Sequence, residues 1–470
     1  MSSEELATGI ITNLPYTPNS QQSALIGALA AFCAGDVEQN SVFLLNGYAG
    51  TGKTSVMGAL VKALGDFNRQ SVLLAPTGRA AKVFGRFARH PAYTIHRHIY
   101  RTDFETGRFN SLKENKAKRG TLFIVDEASM ISGVDNDNEG LNLLDDLISF
   151  VYSGDNCRLI LLGDTAQLPP VGSVISRAMQ PKHLKSYGLH VLRVVLTATV
   201  RQSAMSGILF NATWLRRAMQ QETLPEPKLF LERFNDARAV GGEDLIDELS
   251  RSYSKNGIED TIVITRSNRR AVQYNMAIRN QLLERDELLS VGDIIMVAKN
   301  NYFWSKSVKG LDFIANGDMA IVEKILSTER LGSNNFSDVI LSFPDHDGVT
   351  VEAKVNLDCL TSETPSLSSE EMSRLYQACL DNPDRYRAGT PDSIRIRGLR
   401  TDPYFNALQI KYGYAVTCHK AQGGQWKSVF VDVGNVGLDT ADIEFYRWLY
   451  TATTRAEKNI WYINPDRLIS

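Results

Sequence analysis

The amino-acid sequence predicts an α/β protein built on two parallel sheets, and two observations predict it. Short, continuous apolar runs recur before residue 165, with helical stretches between them, and a second set recurs toward the end of the chain. Each run closes in a polar or glycine-rich turn and does not alternate between apolar and polar, as expected of strands covered on both faces. Strand alternating with helix is the pattern of a parallel sheet. Such sheets bind ligands at the carboxyl ends of their strands.

In order, the first set comprises residues 41–46 (SVFLLN), 71–75 (SVLLA), 121–125 (TLFIV) and 157–162 (CRLILL), with a helix over 55–64 after the first. The second set comprises 261–265 (TIVIT), 414–417 (YAVT), 428–432 (SVFVD) and 459–463 (NIWYI). Between them the character changes. Residues 290–297, 318–325, 338–343 and 350–355 are short strands with turn signals, which predict a small antiparallel barrel. A charged helical stretch, 368–381, follows it. The expected division is a first sheet domain over 1–195, a second over 196–287 and 401–470, and an inserted β domain over 288–400. Residues 99–112 (IYRTDFETGRFNSL) read as a hairpin turning at Glu105-Thr106-Gly107, within an insertion over about 97–118 of the first domain.

A chain of 470 residues exceeds one compact core. Its 43% hydrophobic and 22% charged content is that of a soluble globular protein. No apolar run approaches the ~20 residues that span a bilayer. The N-terminus lacks the layout of a signal peptide, so the expected compartment is the cytoplasm, with no membrane partner. Cys33, Cys157, Cys359, Cys379 and Cys418 form no CxxC pair and are expected to be buried free thiols. The net charge of −2 excludes a protein that coats nucleic acid by bulk charge. A local channel is still compatible with it.

The chemistry begins at Gly47-Tyr-Ala-Gly-Thr-Gly-Lys53-Thr54, which fits GxxxxGK[ST] between a strand and a helix. Gly47, Gly50, Thr51, Gly52 and Ser55 belong to a loop whose N–H groups meet phosphates at a helix N-terminus. Lys53 is placed to reach the β- and γ-phosphates of ATP, and Thr54 to join the shell of Mg²⁺. The strand 121–125 runs into Asp126 and Glu127. The first can hold Mg²⁺ and the second can polarise the attacking water. After a fourth strand, Asp164 and Gln167 (LLGDTAQLPPVG) place a glutamine that can bond the water or the γ-phosphate.

Taken in order, GYAGTGKT, APTGRAAKV, TIH, IVDEASM, GDTAQLPPVG, VRQ, VTCHKAQG and YTATTR resemble the successive motifs of superfamily 1 helicases. The likeness is to the 5′→3′ branch with RecD-like and Dda-like enzymes, and it covers nearly the whole chain. The resemblance implies two RecA-like P-loop NTPase domains, a β-hairpin pin inserted in the first and an SH3-like barrel in the second. It implies that Gln21, or adjacent Gln22, contacts adenine. Arg201 and Arg455 would reach the γ-phosphate from the second domain, as always-charged, forked groups suited to that task. Gln422 and Gly423 would link the cleft to the DNA grip.

By the same likeness, Pro76, Thr77, Gly78, Arg79 and His96 in the first domain would hold single-stranded DNA. Thr265, Arg266, Asn268, Asn275, Thr417, His419 and Lys420 would do so in the second. Phe104 or Phe109 would form the tip of the pin that separates strands. The basic cluster Arg385, Arg387, Arg395, Arg397 and Arg400 reads as a solvated face, and the acidic run 135–139 as a loop. The implied function is an ATP-dependent 5′→3′ DNA helicase that works alone on single-stranded DNA and at ss/ds junctions, with repair or replication proteins as candidate partners. Two alternatives are a motor subunit of a nuclease complex and an ssDNA or RNA translocase without robust unwinding. A third, a degenerate DNA-binding scaffold, conflicts with the intact phosphate site.

Overall fold

The computed structural model describes the whole chain except residues 36, 37, 39, 103–108, 133–141, 171, 199–205, 307, 309, 310, 312, 435–440 and 470. The first lobe is a six-stranded sheet in the order Ala92–Thr94, Ser71–Ala75, Leu122–Val125, Arg158–Gly163, Ser41–Gly47 and His190–Leu196, with every pairing parallel. Three of the four apolar runs at its centre are entirely or almost entirely buried. The two strands the sequence pattern did not suggest lie at the sheet edges. His190–Leu196 is largely open on one side and Ala92–Thr94 has three residues, so neither carries a buried apolar run.

The second lobe is a five-stranded parallel sheet, ordered Ala415–Thr417, Thr261–Thr265, Trp426–Asp432, Ala456–Ile463 and Ala237–Val240. Its last strand was also unforeseen. Inserted into this lobe is a closed barrel of Ile294–Val297, Met319–Leu331, Asn334–Phe343, Val349–Asn356 and Leu408–Tyr412. The expected end of the insertion at 400 therefore falls short: residues 408–412 close the barrel before the chain re-enters the sheet at Ala415. The barrel is not wholly antiparallel either, because Val349–Asn356 and Leu408–Tyr412 pair in parallel.

Barrel and second lobe share one buried core, in which Val263, Phe430 and Trp461 of the sheet join Ile294, Val339 and Val351 of the barrel. At their junction the fully buried carboxylate of Asp293 is held by Arg279 at 3.1 Å and Arg285 at 2.6 Å, and accepts from Tyr414 at 2.8 Å. A buried charge is tolerated only when it is paired and hydrogen-bonded in this way, so the barrel is rooted firmly on the second lobe. Its other end rests on the first lobe through a lighter contact. Lys82, on the helix Gly78–Ala88, donates to the Pro344 carbonyl and lies 3.8 Å from Asp345.

Residues Tyr100–Thr102 and Phe109–Leu112 pair antiparallel as the expected hairpin. Its tip with Phe104, the side chain of Phe109 and the run 135–139 lie outside the described residues. All five cysteines are buried and free. Among the described residues, no helix is long and apolar enough to cross a membrane.

Candidate nucleotide and nucleic-acid site

The sheet order brings three strand ends together, so that Gly47, Asp126 and Asp164 sit at one edge of the first lobe. Gly50 and Gly52 hold φ of +72° and +81°, a region costly to residues with a Cβ. A Cβ on Gly52 would also lie 2.6 Å from Gln22 Nε2. Gly52 caps the helix Lys53–Asp66 without any side-chain hydrogen bond, so its first N–H groups are left for an anion. Lys53 donates to the Gly47 carbonyl within the same loop.

The two lobes enclose a cleft of ≈280 Å³. Lys53, Thr54, Asp126, Glu127 and Gln167 line it from the first lobe, and Gly423, Thr454 and Arg455 from the second. Burial, and then the Glu127 carboxylate, push the Asp126 carboxyl up to about 7 against the pull of Lys53. Glu127 follows it in the left-handed region, at φ +52°, with its N–H on Asp126 Oδ1 at 2.8 Å. A non-glycine residue held there stores of order 1 kcal/mol of strain, a cost that recurs at functional sites. Gln167 is 6% exposed and its Oε1 has no partner among the described residues. A buried orphan acceptor beside an uncapped helix, a lysine, a raised carboxyl and an arginine fits a metal-bound nucleoside triphosphate.

Arg455 is 4% exposed and its nitrogens donate to Thr451 O, Gly424 O and Thr454 Oγ1 at 3.1–3.2 Å. Among the described residues no carboxylate pairs with it, so its charge remains for the cleft. Arg201 lies outside the described residues. Gln422 does not line the cleft; it donates to the Leu168 carbonyl at 2.7 Å across the lobe seam. Neither Gln21 nor Gln22 lines it. Gln22 is buried under the loop, donating to Thr51 O at 3.0 Å, whereas Gln21 accepts from Thr197 and Ala198 N–H at 2.9 Å.

The residues expected to hold DNA separate into two groups. Thr77 caps the helix Gly78–Ala88, and a Cβ on Gly423 of the second lobe would lie 3.3 Å from its hydroxyl, so the two grip motifs meet. Lys420 reaches Asn316 on a barrel loop, and His419 is exposed beside it. Three others make contacts of a different kind. Thr265 is fully buried with its hydroxyl on the Ser267 carbonyl at 3.0 Å, and Asn275 clamps the Ala415 N–H and C=O at 2.8 Å each. Arg79 lies 3.9 Å over the ring of Trp426 and donates to Gln425 O at 3.5 Å, in the seam between the lobes. Thr265 and Asn275 are thus spent on backbone groups that burial would otherwise leave without water.

Sequence reasoning missed Tyr450 and Thr451. Thr451 accepts from Leu168 N–H at 2.8 Å, and Tyr450 bonds both Ala49 and Asp164. They sit inside YTATTR, but nothing in one sequence shows that they reach partners hundreds of residues away.

Fold and site together define a P-loop nucleotide hydrolase whose cleft lies between two parallel-sheet lobes. A model of the AAA domain matches residues 18–222, and one of the UvrD-like helicase C-terminal domain matches residues 412–463. An uncharacterized protein of Acanthamoeba polyphaga mimivirus is 23% identical over 519 residues, 95% of this chain and 99% of that protein. The ATP-dependent RecD2 DNA helicase of Deinococcus radiodurans is 34% identical over 128 residues, 27% of this chain and 16% of its own length. Among solved structures, Pif1 helicase from Bacteroides in complex with ADP-AlF3 and ssDNA gives a TM-score of 0.44 at 15% identity, covering 95% of this chain and 92% of that one. With both domain models in place and the motifs in order, the chain is an ATP-dependent DNA helicase, and its motifs resemble those of superfamily 1.

Proposed function

We propose that this helicase moves 5′→3′ along single-stranded DNA and opens the duplex ahead of it, one cleft closure per ATP. The observation that carries the motor reading is that the nucleotide cleft has a wall from each lobe, with Lys53 and Glu127 facing Arg455. Thr54 and Asp126 would hold Mg²⁺, which supplies charge neutralisation to the phosphates when bound. Lys53 and the loop 47–55 orient the triphosphate. Glu127 takes a proton from the attacking water, which the Gln167 carbonyl oxygen holds in line. Arg455 and Arg201 stabilise charge on the transferring phosphoryl. Gln21 stays the candidate for the base from family likeness.

Closure draws the second lobe toward the first and release lets it part. The strand is gripped alternately by Pro76, Thr77, Gly78 and His96 on one side and by Asn268, Thr417, His419 and Lys420 on the other. The hairpin of residues 100–112 is the pin, with Phe104 or Phe109 at the junction. Direction, junction use and the pin rest on likeness to the RecD-like branch.

The test is strand displacement on a forked duplex tailed on either end. Unwinding only from a 5′ tail supports the proposal, and unwinding from a 3′ tail overturns the direction. DNA-stimulated hydrolysis without displacement would mark a translocase or a motor subunit. Separate Phe104→Ala and Phe109→Ala substitutions should lower unwinding more than hydrolysis for whichever residue forms the pin.

A further inference from the structure

One hydroxyl touches both halves of the catalytic wall. Tyr450 lies on the second-lobe helix Ile443–Thr453 and is 1% exposed. Its oxygen accepts from the Ala49 N–H of the phosphate loop at 2.9 Å and donates to Asp164 Oδ2 at 2.6 Å. A neutral phenol has one proton to give and lone pairs to receive, and here both capacities are used.

Asp164 opens the turn that carries Gln167. Its second oxygen accepts from Ala166 N–H at 2.9 Å, and its carbonyl accepts from Gln167 N–H at 3.3 Å. The far end of that turn is also held from the second lobe, with Leu168 N–H on Thr451 Oγ1 at 2.8 Å and the Leu168 carbonyl on Gln422 Nε2 at 2.7 Å. Five consecutive residues of the first lobe are thus anchored at both ends by second-lobe side chains. Gln167, whose Oε1 is without a partner among the described residues, sits between the anchors.

We propose that Tyr450 is a positioning residue whose hydroxyl, with Thr451 and Gln422, sets the placement of Gln167 by the position of the second lobe. The inference rests on the reading of Gln167 as the group that orients water at the γ-phosphate. The second lobe cannot swing away without releasing the turn or dragging it along, so hydrolysis is licensed only in one lobe arrangement. Burial and the Asp164 carboxylate push the Tyr450 phenol well above its ordinary range, which keeps the proton in place.

The experiment is a double-mutant cycle on steady-state, DNA-stimulated ATP hydrolysis by the full chain. Tyr450→Phe keeps the ring and removes the hydroxyl. It should lower kcat roughly 10- to 100-fold, the scale of a catalytic group displaced by about an ångström, with KM for ATP within about twofold. Gln167→Ala should show the same split, and the double variant should be no slower than Gln167→Ala alone, because one residue acts through the other. Additive losses, or a raised KM with kcat intact, would overturn the positioning role while leaving Gln167 in its own. If Gln167→Ala leaves kcat unchanged, the reading of Gln167 falls and the proposal falls with it. Should Tyr450→Phe fail to fold, Thr451→Val, which removes the acceptor at Leu168, carries the same cycle with the same outcomes.

Discussion

On the first-lobe wall of the cleft the ligand meets mostly backbone. The loop from Gly47 to Thr54 relies on two left-handed glycines, an uncapped helix start and one lysine, all contiguous in the chain. The second lobe acts through side chains, Arg455 in the cleft and three others behind it that hold first-lobe groups. Arg455, Thr451, Tyr450 and Gln422 are each less than one-tenth exposed and act on groups of the other lobe or on the cleft itself. The first wall is complete within its own lobe, so it should bind nucleotide in any lobe arrangement. The second does its work only when the lobes are together. Binding should therefore depend on the first wall, and turnover on both.

The largest effect is expected at Lys53. Lys53→Ala removes the only cation of the first wall among the described residues and should lower ATP hydrolysis by about 10³-fold or more. It should also weaken nucleotide binding, measured by titration with a fluorescent ATP analogue. Retained DNA-stimulated hydrolysis would sink the assignment of the loop. Next comes Arg455. Arg455→Ala should cost about 10³-fold in kcat, the lower end for an arginine acting on a transferring phosphoryl, with nucleotide affinity within about threefold. Arg455→Lys should recover little, because a point charge cannot keep the three donor contacts and still face the cleft. An affinity loss equal to the kcat loss would erase the contrast between the walls.

The same contrast explains what could be read from the sequence. The first wall is local, so GYAGTGKT and IVDEASM disclose it in single stretches, and the continuous apolar runs disclose the strands that carry it. The second wall is assembled across the fold. Tyr450 meets Asp164 286 residues away and Gln422 meets Leu168 254 residues away, and no periodicity records such pairs. Strands were missed for a related reason: His190–Leu196 and Ala237–Val240 lie at sheet edges, where half-exposure breaks the apolar run. The end of the barrel was misplaced because Leu408–Tyr412 is buried like a sheet strand and lies next in sequence to one. Thr265 and Asn275 were expected at DNA by family likeness, and here both are buried with their side chains on backbone groups of the second lobe.

Arg79 gives the smallest effect and the sharpest test of where one wall ends and the other begins. It belongs by sequence to the first-lobe motif that holds DNA, yet its guanidinium stacks on Trp426 of the second lobe. A cation over an indole face is worth about 1 kcal/mol when partly desolvated, or roughly fivefold in an equilibrium. If that contact is its role, Arg79→Ala should lower DNA-stimulated kcat about fivefold by loosening the seam. Affinity for single-stranded DNA and the salt dependence of that affinity would then be unchanged. A phosphate contact would behave in the opposite way, because losing it weakens binding and reduces the salt slope by about one counterion. Titrating a labelled oligonucleotide at several salt concentrations separates the two. A reduced slope would return Arg79 to the DNA channel; an unchanged slope with slower turnover would place it with Tyr450 among the side chains through which the second lobe controls the first.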